Sequence, residues 1–236
     1  MKNSTSTDRA DPTVNKIFEY QGYHLLAFVL LGGVLYWTTK VYPDGQNRVA
    51  GLSTSQWIWF SWIFAGIFQF WVAFFWRREL YGGRISAHLG KAGFLFFRIG
   101  FVVFGLARLL PVVPIALTSR HSASIPEWIA VPFLLLTIPL SLWGLYCATF
   151  YFGLTRASGA DHFLPGYRGA NLEKRGIYKY IPNAMYTVVL LALYPPGLIW
   201  QSAPALVVAA AHHAFVWTHY FCTEKPDLEQ IYGQRR

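Results

Sequence analysis

The sequence predicts an all-α, polytopic membrane helical bundle: four spans plus a C-terminal helical hairpin, about six membrane helices, with both termini cytoplasmic. Three observations predict it. Of the 236 residues, 54% are hydrophobic and 18% aromatic, and only 13% are charged, about half the charge of a soluble domain. The apolar residues come in runs approaching the ~20 that a helix needs to cross ~30 Å of hydrocarbon. They do not alternate as the ~10-residue strands of a membrane barrel do. Finally, the basic residues are unequally shared between the two ends of those runs, which sets an orientation.

Residues 1–22 are polar, contain Pro12 and have no apolar centre, so they read as a cytoplasmic tail and not a signal peptide. The first span covers roughly 24–39 and ends at the turn-forming run Pro43-Asp44-Gly45. The second covers roughly 56–76. Its tryptophans 57, 59, 62, 71 and 76 suit the membrane–water boundary. A basic loop with Arg77, Arg78, Arg84 and Lys91 follows. The third span, roughly 93–116, contains Arg98 and Arg108. Charge in hydrocarbon is costly, so both are expected to snorkel to a boundary, with Arg98 alternatively lining a polar pocket. Prolines 111, 114, 126 and 132 cluster around a short loop at Arg120 and His121 and predict kinked helix ends.

The fourth span covers roughly 127–153. A polar, basic segment occupies 154–182. Hairpin arms of roughly 184–198 and 202–221 follow, broken by Pro195, Pro196 and Gly197, and a polar tail ends the chain. The organisation expected is therefore a tail (1–22), a four-helix membrane region (23–153) and a C-terminal region (154–236). Lys40, Arg48 and Arg120 fall on one side of the membrane and Arg98 and Arg108 within it; the rest of the 20 lysines and arginines fall on the other side. That asymmetry places 154–182 and the tail in the cytoplasm. The formal charge of +9 is read the same way, together with attraction to anionic lipid headgroups, and not as nucleic-acid binding. Cys147 and Cys222 read as packing residues and not as a disulfide.

A hairpin of this length crosses the bilayer and returns. It brings the stretch Gly176–Tyr186 together with the stretch Glu224–Gly233 at one membrane face. The first holds Tyr178, Tyr180, Tyr186 and Asn183, and its tyrosines form either an aromatic belt or the wall of a site. The second holds Glu224, Asp227 and Glu229 just past an apolar helix, where negative charge is disfavoured. Those acids are either solvated or hold a cation. Tyrosines and carboxylates together suit a sulfonium or ammonium group, which aromatic faces attract by ~2 kcal/mol or more when desolvated.

These residues resemble the membrane methyltransferases that include phosphatidylethanolamine N-methyltransferases and isoprenylcysteine carboxyl methyltransferases. Gly176, Tyr178, Tyr180, Asn183, Met185 and Tyr186 match the family's first C-terminal element, and Glu224, Pro226, Ile231 and Tyr232 match the second. Residues 153–163, with Gly153 and Gly159, look like its glycine-containing cofactor segment. The likeness covers about residues 150–236. Ala184 stands where the family has proline, Pro182 where it has a charged residue, and Lys225 where it has a second glutamate.

The resemblance implies S-adenosylmethionine as methyl donor and a membrane lipid entering laterally as acceptor. Asn183 with Glu-x-Pro in the tail favours phosphatidylethanolamine N-methylation over an isoprenylcysteine carboxylate or a small thiol. It implies catalytic roles for Glu224, Asn183 and Tyr186. Cofactor binding falls to Gly153, Gly159, Tyr178, Tyr180, Asn183, Glu224 and Tyr232. The active site is expected to face the cytoplasm, in a bacterial cytoplasmic membrane or the endoplasmic reticulum. Asp161 and His162 are secondary candidates, expected on a solvated loop. Three other readings compete. A metalloenzyme would use His212, His219 and Cys222 on one helix face, but too few histidines lie elsewhere, so no metal is expected. A sterol-reductase-like enzyme would need a longer chain. A lipid-binding protein that has lost catalysis would account for Lys225 and Ala184.

Overall fold

The computed structural model describes residues 12–168, 171 and 173–233. Every regular element among them is a helix, apart from an isolated bridge between Val49 and Leu52. The N-terminal region comprises α1 (Pro12–Phe18), α2 (Gln21–Val41), α3 (Thr54–Gly82), α4 (Arg84–Leu89), α5 (Ala92–Leu109), α6 (Val112–Thr118) and α7 (Glu127–Cys147). Four stretches are long and apolar enough to cross a membrane: Thr13–Val41, Thr54–Gly82, Ala92–Thr118 and Glu127–Phe163. They coincide with the four predicted spans, and the protein is an integral membrane protein on that ground.

Local chemistry sets the helix ends. Ser53 and Gln56 form a reciprocal cap at the start of α3: the Gln56 amide donates to Ser53 Oγ at 3.3 Å, and the Ser53 amide donates to Gln56 Oε1 at 2.9 Å. Gly83, at φ 58°, ends the helix in the left-handed conformation. Along α2, His24, Gly32, Leu35 and Thr38 are buried on one face, while Leu25, Leu26, Val29 and Leu30 are exposed on the other. In water such an exposed apolar face would be a liability; in a bilayer it is the lipid-facing surface.

After α7 the chain forms α8 (Leu154–Ala157), α9 (Ala160–Phe163) and α10 (Ala184–Thr187). A 3-10 segment, Val189–Leu193, leads into α11 (Tyr194–Ile199). Then α12 (Ala203–His219) returns and α13 (Lys225–Tyr232) follows. This is the predicted hairpin. Its arms close tightly at the tip, where a Cβ on Gly197 would lie 2.7 Å from the Leu206 side chain. The tip is stitched to the loop before α7: Gln201 accepts from the Ile125 amide at 3.0 Å and donates to its carbonyl at 3.1 Å. Buried Ser202 accepts from the Ala205 amide at 3.1 Å and shares a hydrogen bond with the Ser119 hydroxyl at 2.7 Å. Ser202→Ala removes this helix cap and the bond to Ser119, whose hydroxyl keeps the Ile115 carbonyl at 2.6 Å. Loss of an N-cap costs ~1 kcal/mol, which corresponds to a drop in melting temperature of roughly 2–4 °C in a chain of this size, read by thermal unfolding in detergent.

With 17 residues in α12, a rise of 1.5 Å per residue separates the tip from the far end of the helix by about 25 Å. Glu224 thus lies at the end of the bundle opposite the tip. The core between holds Leu35, Trp62, Ile115 and Phe215, contributed by α2, α3, α6 and α12.

Two expectations about arginines are corrected. Arg77 is not in a loop: α3 runs on to Gly82, and Arg77 is 0% exposed. Arg108 does not snorkel. It is 2% exposed and lies over the Phe68 ring at 4.8 Å. It shares the inward stripe of α5 with Gly93, Phe97 and Gly100, so helical periodicity turns it away from the boundary. Arg98 is half-buried over Phe94 at 5.6 Å and does not line the cavity described below. Cys147 and Cys222 are buried and free.

Candidate active site

The last turn of α12 is wound wider than an α-helix: Tyr220–Glu224 form a π-helical turn, a feature frequent at functional sites. It presents Glu224 to α10, where the Tyr186 hydroxyl donates to the Glu224 carboxylate in a short hydrogen bond. Asn183 caps α10, and its carbonyl accepts from the amides of Tyr186 at 2.9 Å and Thr187 at 3.1 Å. Asn183, Tyr186 and Glu224 line one cavity of about 90 Å³, together with Trp76, Phe152, Gly159 and Tyr178. The hairpin therefore does join the two polar stretches.

A buried polar chain backs this cavity. His162 Nδ1 lies 3.1 Å from Asp161 Oδ1, and its Nε2 lies 3.4 Å from Asp227 Oδ2. Asp227 Oδ1 accepts from Arg77 Nε at 3.2 Å and from the Tyr81 hydroxyl at 3.0 Å. Asp161 Oδ2 accepts from the Tyr232 hydroxyl at 3.2 Å, which accepts in turn from Arg156 Nη2 at 3.2 Å. The imidazole of His162 stacks on Trp76 at 4.3 Å. Arg77 also donates to the carbonyls of Glu19 and Cys222, the second at 2.8 Å, and so ties the wide turn to α3 and to the segment after α1. The expectation of a solvated loop at Asp161 and His162 is overturned: they are 7% and 1% exposed. The side chains of Asp161 and His162 point inward and pair with each other, which a hydropathy reading of the segment does not reveal.

Burial moves the protonation equilibria outside the apolar helices. It raises the Glu224 carboxyl to about 7, against the pull of the Tyr186 hydrogen bond. It pushes the Tyr178 phenol up to about 12 and raises that of Tyr232. A carboxyl near 7 stands between its two protonation states at neutral pH, as an acid–base group requires.

Of the residues singled out in the sequence, Gly159, Tyr178, Asn183, Tyr186 and Glu224 line the cavity, and so do the secondary candidates Asp161 and His162. Tyr232 stands behind it, on Asp161 and Arg156. Gly153, at φ 86°, ends the wide turn Ala148–Gly153 with no wall atom near it, and the Tyr180 ring is 69% exposed; neither reaches the cavity. Trp76, Arg77 and Arg156 carried no sequence signal beyond a boundary tryptophan and two basic loops. Asp227 did: it lies one residue beyond Pro226 of the tail motif.

Gly159 is at φ 81°, and a Cβ there would lie 2.2 Å from Trp76 Nε1. Gly159→Ala therefore both strains the backbone and displaces the indole. An overall loss of ~1–3 kcal/mol is expected, visible as a lower melting temperature with a shifted tryptophan emission.

One protein family matches part of the chain. Residues 128–235 match the phospholipid methyltransferase family. Every cavity residue except Trp76 falls in this matched segment, and so do Asp227 and Tyr232. Its boundaries take in α7, beyond the stretch whose motifs were legible. The arginine that clamps the wide turn, Arg77, comes from outside it. No curated protein and no solved structure matches the chain. Among the described residues, no group of three histidine, cysteine or acidic side chains gathers into a metal-binding cluster: His212 Nε2 is 2.8 Å from Ser61 Oγ, while His219 lies against His24 with ring centres 5.4 Å apart.

Proposed function

We propose that the cavity binds S-adenosylmethionine and that the protein methylates the amine of a membrane phospholipid, phosphatidylethanolamine first. The observation that carries this reading is the Tyr186–Glu224 pair on the wall of an aromatic cavity inside the phospholipid methyltransferase segment.

The residues fit such a ligand in sign and shape. Trp76 Nε1 and the Tyr178 hydroxyl are buried with no hydrogen-bond partner among the described residues, leaving two donors for a carboxylate. Glu224 and Asp161 offer the opposite charge to an ammonium. The faces of Trp76, Tyr178 and Tyr186 suit a sulfonium. The enclosed space of about 90 Å³ is well below the ~300–1,000 Å³ of clefts that take whole drug-sized ligands, so it suits the charged end of the cofactor and not the nucleoside.

S-adenosylmethionine, when bound, supplies an electrophilic methyl group that only an uncharged amine accepts. A primary ammonium resembles a lysine side chain, with a pKa near ~10. It must therefore lose its proton within the site. Glu224, partly buried and poised near 7, takes that proton at a carboxylate oxygen. Tyr186 holds the carboxylate toward the cavity by its hydrogen bond. Asn183 orients the ligand from the start of α10. The aromatic walls exclude water, which would stabilise the charged amine and lower its reactivity. The distribution of basic residues argues that this end of the bundle faces the cytoplasm, where anionic headgroups attract it.

The test is methyl transfer from labelled S-adenosylmethionine to phosphatidylethanolamine, an isoprenylcysteine and a small thiol, using purified protein in vesicles. Label in phosphatidylethanolamine is the expected result. Label in another acceptor alone reassigns the substrate. Calorimetric binding of the cofactor without transfer favours a lipid-binding protein that has lost catalysis, and absence of binding overturns the proposal.

A further inference from the structure

Arg108 raises a separate question. Its guanidinium is buried inside an apolar bundle, and Nε and Nη1 hydrogen-bond to nothing among the described residues. No described carboxylate lies within ion-pair distance of it. Phe68 covers one face. Its backbone carbonyl accepts from Ser61 Oγ at 2.6 Å, but that leaves the charge untouched. A cation in such a place is costly without a counter-ion, and intramembrane charge of this kind marks a ligand or ion pathway.

Its surroundings connect it to the cavity. Tyr186 lies near enough for its phenol to couple electrostatically with the guanidinium, and the same phenol reaches Glu224. His212 and His219 are the other titratable groups that feel its charge, and neither is anionic. α5 leans on α3 and α4, while α10 leans on α7 and α12; α5 and α10 do not pack extensively on each other. The outer side of α5 at Leu106 is exposed to lipid.

We propose that Arg108 anchors the phosphodiester of the phospholipid acceptor. This rests on the function proposed above for the identity of the acceptor. The amine and phosphate of phosphatidylethanolamine are two carbons apart and of opposite charge. Glu224 and Arg108 are opposite charges; Tyr186 donates to the first and lies within electrostatic reach of the second. The pair would read both ends of one zwitterionic headgroup, and an isoprenylcysteine or a free thiol offers no phosphate for Arg108. The residue lies outside the segment that matches the methyltransferase family, so it is a contribution of the N-terminal spans to substrate choice.

The experiment compares the full-length protein with Arg108→Met and Arg108→Lys. Loss of a charged hydrogen bond predicts a KM for phosphatidylethanolamine raised roughly tenfold to a hundredfold in Arg108→Met. Arg108→Lys recovers part of it. Methylation of a long-chain alkylamine, which lacks phosphate, and calorimetric binding of S-adenosylmethionine stay within about twofold of the wild-type values. Equal losses with both acceptors, or with cofactor binding, would mark Arg108 as structural and overturn the proposal. So would no loss at all. Inhibition of the wild type by millimolar inorganic phosphate that vanishes in Arg108→Met would assign the site to a soluble anion and overturn the lipid source. Native mass spectrometry of bound phosphatidylethanolamine supplies a readout independent of methyl transfer: Arg108-dependent lipid binding in a protein that transfers no methyl sustains this inference while the proposed activity falls.

Discussion

Glu224→Gln is expected to reduce methyl transfer by ~10²–10⁴-fold, the usual contribution of a general base, while the protein stays folded. The glutamine keeps the size of the side chain and can still accept a hydrogen bond from Tyr186. It loses the ability to take a proton and to balance a cation. The stability of the variant carries a second, independent signature. Burial raises the Glu224 pKa from 4.5 to about 7, so the folded state holds this proton more tightly than the unfolded chain. The resulting stabilisation is complete below about 4.5 and is lost as pH rises through about 7. Glutamine, being neutral throughout, escapes that loss. The variant gains on the wild type between pH 5 and pH 8, by an amount on the order of 1–2 kcal/mol after allowance for partial exposure. Paired thermal melts across this range check it, alongside a methylation assay. Undiminished transfer in Glu224→Gln removes the carboxylate from the mechanism; a flat difference between the melts removes its burial.

Arg77→Ala is expected to cost the protein about 3–5 kcal/mol, because it leaves Asp227 buried without its cation. Arg77 and Asp227 are both fully buried, and Arg77 holds the carbonyl of Cys222 in the turn that presents Glu224. The measurement is melting temperature and yield of monodisperse protein in detergent. A control separates the two roles of the arginine. If stranded charge dominates, Arg77→Ala with Asp227→Asn regains much of the stability. If the clamp on the turn dominates, the double variant stays inactive even where it is stable. A single variant as stable as the wild type shows that neither contact matters.

Spans and hairpin were legible because hydrocarbon imposes length and composition on any helix that crosses it. Glu224, Asn183 and Tyr186 were legible because an acid just beyond an apolar helix and an amide among tyrosines are unusual at a bilayer boundary. The inward arginines were not. Arg77 reads as part of a basic loop, and only its position on the inner side of α3, opposite Asp227 150 residues later, makes it a core residue. Arg108 could have been read from its helical register with buried Gly93, Phe97 and Gly100, had the stripe on α5 been weighed above the distance to a boundary. Asp161 and His162 illustrate the same limit: their burial arises from mutual pairing with α3 and α13, which no local pattern encodes. Tyr180 and Gly153 err in the other direction. Both match family positions, yet the local backbone turns Tyr180 outward and leaves Gly153 at the end of a wide turn.

The hairpin tip is held at one end of the bundle and the cavity opens at the other. If the proposed function holds, a catalyst built this way meets lipids of a single leaflet. If its substrate is a phospholipid, the product accumulates on that side until a separate process carries it across, and the membrane becomes compositionally asymmetric through the geometry of the protein alone.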